Sequence, residues 1–100
     1  MSSRNLRLDF SPEAQRDFIG ILRYTGKTWG RDQLLMYRDK LNDALQMISQ
    51  DPRIGHQSND LPPTHRLYYV GSHVIVYQTP GPSIAVVRIL HQRMSLARNV

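Results

Sequence analysis

The stretch HRLYYVGSHVIVYQTPGPSIAVVRILH, residues 65–91, decides the fold. It contains three runs rich in Val, Ile and Tyr, which favour strands, at residues 65–70, 73–79 and 83–91. Gly71-Ser72 lies between the first two runs, and glycine at the first loop position suits a type II′ turn. Pro80-Gly81-Pro82 predicts the second turn. The stretch therefore predicts an antiparallel meander of three strands.

Two amphipathic helices are predicted upstream of the meander. Ser11-Pro12-Glu13 marks the start of the first, since serine caps a helix, proline suits its first position and an acid suits its positive end. Gly30 breaks it, and the second is expected from about Arg31 to Ser49, before Asp51-Pro52. Because the break is short, the two helices should form an antiparallel hairpin. The apolar stripes consist of Ala14, Phe18, Ile21, Leu22, Thr25 and Trp29 in the first helix and Leu34, Tyr37, Leu41, Ala44, Leu45 and Ile48 in the second.

The segment Leu6-Arg7-Leu8-Asp9-Phe10 alternates apolar and polar residues and predicts a first strand with one buried face. Residues 51–64 are rich in glycine, proline, asparagine and aspartate and are expected to be a loop. The predicted order is β-α-α-β-β-β, an α+β fold with a helical hairpin packed on an antiparallel sheet. With no linker or repeat in its 100 residues, the chain is expected to form a single domain over residues 1–100.

The charge of the chain is unevenly distributed. The net charge is +5, and all eight acids lie at or before Asp60. Residues 61–100 contain four arginines, three histidines and no carboxylate. Such a segment should attract nucleic acid or an acidic protein, although a basic surface can also serve solubility alone.

The composition also argues against several classes of protein. The chain has no cysteine, which excludes disulfides and thiolate metal sites and fits a reducing compartment. It has no run of about 18 apolar residues, and the start Met1-Ser2-Ser3-Arg4 does not lead into the apolar segment of a secretion signal. The four histidines lack the spacing of a metal site, and no phosphate-binding glycine motif occurs. We therefore expect a cytoplasmic protein without metal or cofactor.

The strands of the meander are apolar on both sides. Residues 74–77 and 84–87 carry no charged side chain, whereas the open face of a one-sided sheet should be polar. Either the C-terminal tail or a partner is expected to cover the second face. Met36 and Met47 lie on one line of the second helix, outside its stripe. They suit either the edge of the core or contact with a partner helix.

One catalytic interpretation concerns the end of the last strand. His91 is chemically eligible as a general acid or base for RNA cleavage, with Arg88 and Arg93 holding the phosphate. The structural alternative is a hydrogen-bonded histidine beside a packed strand and an Arg88 that anchors the tail through its five donors. Spacing alone leaves both interpretations open.

Five blocks of sequence carry a family resemblance: residues 17–25, residues 28–33 with Tyr37, residues 51–55 with Asp60, residues 71–77, and residues 88–94. In this order they resemble the ParE family of toxins from bacterial type II toxin–antitoxin modules. Arg88-Ile89-Leu90-His91-Gln92-Arg93-Met94 is the most specific block. The chain departs from the family pattern at residues 60–66 and at Ser95, where the family usually has an aspartate.

The resemblance implies the fold shared with the RelE toxins and a non-enzymatic toxin that inhibits DNA gyrase. It also implies neutralisation by a ParD-like antitoxin, whose acidic C-terminal segment wraps the toxin in a hetero-oligomer, with DNA contacted only through the antitoxin. Target contacts are expected at Arg66, His91, Arg93 and Arg98. Antitoxin contacts are expected at Trp29, Met36, Met47, Tyr68 and Tyr77.

Two alternatives to a gyrase inhibitor remain open. The first is a RelE-type ribosome-dependent ribonuclease, against which the apolar central strand and the absence of a tyrosine after Tyr77 weigh. The second is a degenerate, non-toxic module that only binds an antitoxin.

Overall fold

The computed structural model describes residues 5–100, so the start of the chain that bears on a secretion signal lies outside the described range. The predicted order of strands and long helices is confirmed. The described elements are β1 (Leu8–Phe10), α1 (Pro12–Trp29), α2 (Arg31–Gln50), β2 (His65–Val70), β3 (His73–Gln78), β4 (Ile84–His91) and a short α3 (Leu96–Asn99), with a 3₁₀ turn at Pro52–Ile54. Over residues 5–100, neither long helix has the apolar length needed to cross a bilayer.

Helix α1 begins at the predicted cap. The Ser11 hydroxyl accepts a hydrogen bond from the Ala14 N–H at 2.9 Å, which satisfies one of the free donors of the first turn. The same hydroxyl donates to the Val87 carbonyl at 2.7 Å, and the Ser11 N–H donates to the Val86 carbonyl at 3.0 Å. One serine therefore starts the helix and fixes it to β4.

The two long helices meet at Gly30, as predicted. Gly30 has a φ of 94°, which favours glycine, and its N–H donates to the Gly26 carbonyl at 3.0 Å. A Cβ at Gly26 would lie 2.7 Å from Leu34 Cδ1, so the hairpin is tight where the helices first pack. Helix α2 ends at Asp51, whose N–H donates to the Met47 carbonyl at 3.1 Å.

The sheet has the order β1-β4-β3-β2. The predicted antiparallel meander of β2, β3 and β4 is confirmed, and Gly71 in its first turn has the positive φ, 56°, that a type II′ turn requires. Strand β1 instead pairs in parallel with β4, with Leu8 opposite Ile84, so the sheet is mixed. Apolar–polar alternation predicts a buried face but not a strand direction, which is why the sequence does not reveal this pairing.

Two apolar clusters lie on opposite faces of the sheet. The inner cluster packs against the helical hairpin and contains Ala14, Leu41, Ala44, Leu45, Ile48, Val70, Ile75, Tyr77, Ile84, Val86 and Ile89. The outer cluster contains Leu61, Leu67, Val74, Val76 and Leu90, with Val87 and Leu96 packed against it. The chain's own loop and C-terminal tail therefore cover the second face, and Val76 there is 0% exposed.

Candidate functional site

Arg88 anchors the C-terminal segment. Its Nε donates to Asp17 Oδ2 at 2.8 Å and its Nη2 to Asp17 Oδ1 at 3.1 Å, while its Nη1 donates to the Asn99 carbonyl at 2.6 Å. The Arg88 and Asp17 side chains are only 23% and 16% exposed. The hydrogen bond to Asp17 raises the pKa of Arg88, so its charge is fixed. Arg88 is therefore committed to α1 and to the tail rather than free to hold a phosphate.

The Asp17 carboxylate also bonds to the backbone at the edge of β4. Within residues 5–100, strand β1 pairs only with residues 84–86, so the rest of that edge of β4 has no neighbouring strand. The Asp17 Oδ2 accepts the Ile89 N–H at 2.9 Å, and Ser11 bonds the Val87 carbonyl. Side chains of α1 thus replace a strand and satisfy backbone groups that would otherwise be left unpaired.

Two histidines and a tyrosine meet where β3 and β4 pair. His73 lies opposite His91, and their ring centroids are 5.4 Å apart with the rings nearly perpendicular. The Tyr37 hydroxyl lies 2.6 Å from His73 Nδ1 and accepts the Ser72 N–H at 3.2 Å. Burial, and secondarily the neighbouring His91, lower the pKa of His73, while burial raises the pKa of Tyr37. Both shifts favour the neutral forms near neutral pH.

The hydrogen bonds of His91 limit its chemistry. Its Nδ1 accepts the Arg93 N–H at 3.1 Å, so a neutral ring carries its proton on Nε2. The other ring nitrogen, Nε2, then carries a hydrogen and acts as a donor, so it lacks the free lone pair that a general base needs. This geometry suits recognition of a carboxylate or carbonyl oxygen better than abstraction of a proton.

Two neighbouring cavities beside these histidines share Tyr24, His73 and His91 in their linings, and together they are called the groove. One part, of ≈ 710 Å³, is lined by Tyr24, Thr25, Trp29, Gln33, Tyr37, Ser72, His73 and His91. The adjoining part, of ≈ 310 Å³, is lined by Arg16, Asp17, Gly20, Ile21, Tyr24, His73, Ile89, Leu90, His91 and Met94. Tyr24 and Trp29 are 67% and 70% exposed. The groove thus combines exposed aromatic surface with cationic or donor side chains.

The comparisons with known proteins agree on one family. The model of the ParE toxin of type II toxin-antitoxin systems, parDE, matches residues 8–96. The chain belongs to the ParE toxin family. It is 40% identical over 101 residues, covering both chains completely, to "Toxin ParE1" of Mycobacterium tuberculosis (strain ATCC 25618 / H37Rv). It is therefore a ParE-type toxin of a type II toxin–antitoxin system, and the resemblance drawn from the sequence is confirmed.

A more distant ParE toxin supports the same assignment, and a solved structure shares the fold. "Toxin ParE1" of Caulobacter vibrioides is 32% identical over 85 residues, which cover 85% of this chain and 88% of that toxin. The solved structure "Chromosomal ParDE TA system from P. aeruginosa" has a TM-score of 0.74 at 16% identity and covers 86% of this chain and 95% of that one. At this identity the structural likeness shows the fold, which agrees with the α+β prediction.

The four predicted target residues do not form one group in this ParE fold. Arg93 and Arg98 are exposed in the segment after β4, and His91, the last residue of β4, is half-buried. Arg66 pairs with Tyr77, whereas His91 pairs with His73 at the opposite end of β3. The Arg66 Nη1 donates to the Gly55 carbonyl at 2.8 Å, so this arginine anchors the loop after α2.

Three of the predicted antitoxin residues lie on the surface. Trp29, Met36 and Met47 are 70%, 64% and 49% exposed. The spacing places Trp29 on the buried stripe of α1, and this prediction is wrong: Trp29 is the last residue of the helix and is exposed. Tyr68 is half-buried against the inner cluster.

The prediction of Tyr77 as an antitoxin contact is wrong for this structure. Tyr77 is 0% exposed. Its hydroxyl accepts the Gly55 N–H at 2.9 Å and donates to the Pro52 carbonyl at 2.7 Å. Burial raises the pKa of Tyr77. The side chain therefore fixes the loop after α2 to the sheet and cannot be reached by a partner.

Sequence reasoning missed Tyr24 and His73 as groove residues. Tyr24 lies one helical turn after Gly20, outside the apolar stripe of α1, and this spacing was an available signal. His73 follows a hairpin turn directly and lies opposite His91, but that register depends on the bulge at Val87, since Val76 pairs with Arg88 and Tyr77 with Val86. Spacing alone does not reveal a bulge.

Proposed function

We propose that this ParE-type toxin inhibits DNA gyrase by binding, without chemistry of its own, and is neutralised by a ParD-like antitoxin. The observation that carries the proposal is the C-terminal segment, residues 92–100, which is held in a defined position by Arg88 and presents Arg93 and Arg98 to solvent. Among the described residues 5–100, neither Arg93 nor Arg98 forms an ion pair, so this segment offers positive charge to an acidic target.

Two features support binding over RNA cleavage. Arg88 is occupied by Asp17 and by the Asn99 carbonyl, and its guanidinium is mostly buried. His91 uses its Nδ1 to accept the Arg93 N–H. A RelE-type ribonuclease would need these groups to act on a phosphate and a hydroxyl, and here they maintain the tail and its turn.

An acidic antitoxin suits the same charge distribution. We propose a hetero-oligomer in the cytoplasm, in which residues 1–100 form a single toxin domain and DNA is contacted only through the antitoxin. Exposed Trp29, Met36 and Met47 supply apolar surface for that partner. Arg93 and Arg98 are the residues that we assign to gyrase, with His91 beside them.

The experiment compares two activities of the purified chain. When the chain is added to gyrase and relaxed plasmid, it should block supercoiling. When it is added to programmed ribosomes, the messenger RNA should stay intact. Arg93→Ala combined with Arg98→Ala should weaken the inhibition of gyrase at least tenfold, because it removes the exposed positive charge. Arg38→Ala, an exposed arginine of α2, is the matched control and should inhibit like the wild type.

Each other outcome assigns a different function. Cut messenger together with normal supercoiling rejects the gyrase proposal in favour of a RelE-type ribonuclease. Antitoxin binding without growth arrest or gyrase inhibition identifies a non-toxic binding module.

A further inference from the structure

Gly20 occupies the middle of α1 without an internal reason for being glycine. Glycine is among the poorest helix formers, and room for a close contact is one physical reason for a glycine inside a helix. Gly26 and Gly71 have such a packing reason, because a Cβ there would lie within 2.7 Å of Leu34 or Tyr37 atoms. A Cβ at Gly20 meets no atom of the described chain within 4 Å. Any close approach that requires Gly20 must therefore come from outside residues 5–100.

The surroundings of Gly20 resemble a docking groove. The ≈ 310 Å³ part of the groove passes over Gly20 and is walled by Ile21, Tyr24 and Met94. Tyr24 is 67% exposed and Met94 41% exposed, so both have apolar surface to cover. Arg16, Gly20 and Tyr24 follow one another at intervals of four residues and form a row along α1. The bare helix backbone thus lies between a cation and an aromatic ring.

The charge of this groove selects an acidic occupant. The carboxylate in its wall, that of Asp17, is already bound by Arg88 and by the Ile89 N–H. The polar groups left for a partner are the Arg16 guanidinium, the Tyr24 hydroxyl, and the second ring nitrogens of His73 and His91, whose Nδ1 atoms already face the Tyr37 hydroxyl and the Arg93 N–H. His91 offers an Nε2–H donor, and an anionic oxygen is the acceptor that such a set binds most strongly.

The secondary structure of the occupant follows from the edges of the sheet. Near Gly20 the edge of β4 is filled by Asp17, which bonds the Ile89 N–H, and by Ser11, which bonds the Val87 carbonyl. These two backbone groups are therefore not available to a partner strand, which shortens the ladder that such a strand could form here. A glycine on a helix surface instead lets a second helix approach the backbone closely.

We propose that Gly20 is the crossing point at which an acidic amphipathic helix of the antitoxin packs on α1. Apolar residues of that helix, spaced three and four apart, cover Ile21, Tyr24 and Met94. Its carboxylates reach Arg16, His73 and His91. This assignment rests on the proposed neutralisation by an antitoxin and names the surface that would be used.

The test separates folding from binding at Gly20. In Gly20→Ala and Gly20→Leu the helix gains a better helix former in open space, so the Tm should rise, by roughly 4–8 °C for a gain of this size in a small domain. The probe is a purified ParD-like antitoxin, titrated calorimetrically into the full chain. Gly20→Leu should weaken its binding at least tenfold, with Gly20→Ala intermediate.

Gly81→Ala is the matched control. Gly81 lies in the turn between β3 and β4, outside the groove, and a Cβ added there would also meet no atom within 4 Å. The affinity of this variant for the antitoxin should equal that of the wild type. Arg16→Gln should weaken binding at low salt and have less effect at high salt, because the contact is electrostatic.

The remaining outcomes overturn the proposal in distinguishable ways. If wild type and Gly20→Leu bind the antitoxin with equal affinity, the Gly20 surface is rejected but neutralisation by an antitoxin is not. If the wild type binds no antitoxin, both proposals are rejected. A lower Tm in Gly20→Ala shows an internal role for the glycine. A wild-type dimer that Gly20→Leu dissociates assigns the groove to a second copy, and binding of a 20-nucleotide oligothymidine that Gly20→Leu abolishes assigns it to nucleic acid.

Discussion

Neighbouring residues of β3 lie on opposite faces of the sheet, and both are fully buried by very different covers. Ile75 is buried under two helices of 18 and 20 residues, whereas Val76 is buried by Leu61 of a loop and by the region of the four-residue α3. Equal burial does not mean equal resistance to opening. The inner cover packs against the sheet through many buried residues, while the outer cover depends on a few, so the outer cover should open first.

The largest loss of stability is expected from truncating a side chain of the inner cluster. Leu41→Ala removes a fully buried side chain from between α2 and the sheet, and it should lower the free energy of unfolding by about 2–5 kcal/mol. Urea denaturation followed by circular dichroism measures the loss. Met36→Ala, on the exposed side of the same helix, should change stability by less than about 0.5 kcal/mol. Equal effects of the two substitutions would contradict the assigned inner core.

A smaller loss is expected where the two faces are joined. Arg88→Ala leaves Asp17 without its charge partner and the Asn99 carbonyl without its donor, at a cost of about 2 kcal/mol for a pair that is still partly solvated. Hydrogen exchange should accelerate in residues 96–100 more than at Ile75. Arg88→Lys keeps the positive charge but loses the planar guanidinium, so its stability should lie between those of the wild type and Arg88→Ala. Uniform acceleration across both faces would refute the separate opening of the tail.

A still smaller loss is expected in the outer cover itself. Leu96 is half-buried against the outer cluster, so Leu96→Ala should cost about 1 kcal/mol. Binding of the dye ANS should increase, because the strand residues beneath become accessible. Met94→Ala, two residues earlier and 41% exposed, is the control and should leave dye binding unchanged. A wild-type level of dye binding in Leu96→Ala would show that α3 is not needed as a cover.

The smallest expected effect is a dependence of stability on pH that arises from His73, at the end of the sheet where it lies opposite His91. Burial and the adjacent His91 lower the pKa of His73 below its unfolded value of 6.5, so the unfolded chain binds the proton more readily. The contribution of His73 to stability is therefore complete above pH 6.5 and is lost as the pH falls through its folded pKa. Urea midpoints should fall between pH 7.5 and pH 5, and less so in His73→Gln. His65→Gln serves as the control, and an unchanged pH slope in His73→Gln would reject this origin.

The inner face was predictable because its signals are local. Ser11-Pro12 starts α1, Gly30 separates the helices, and Asp51-Pro52 ends α2, each through the backbone preferences of one or two residues. The apolar stripe of α2 repeats every three to four residues, so its buried side could be read directly. Such signals do not depend on which distant segments meet.

The outer face and the candidate site depend on contacts between distant residues. Leu61 and Leu96 have no periodic partners, and nothing near them in sequence indicates that they cover Val76. Aromatic side chains suit interfaces, which favours Tyr77 as a surface residue, yet its hydroxyl meets the Gly55 N–H from 22 residues away. The tail anchor of Arg88 is one of two alternatives that the sequence leaves open, and only the position of Asp17 on α1 decides between them.

The antiparallel bridge between His56 and Leu67 has a consequence for how the chain behaves at high concentration. The two residues exchange both backbone hydrogen bonds, at 2.8 and 2.7 Å, on the free side of β2, and the His65 N–H is taken by the Pro62 carbonyl at 3.0 Å. An edge strand whose backbone is bonded at these positions offers another copy fewer groups to pair with. Less of β2 is therefore open to pairing with another copy of the chain than the six-residue length of the strand suggests.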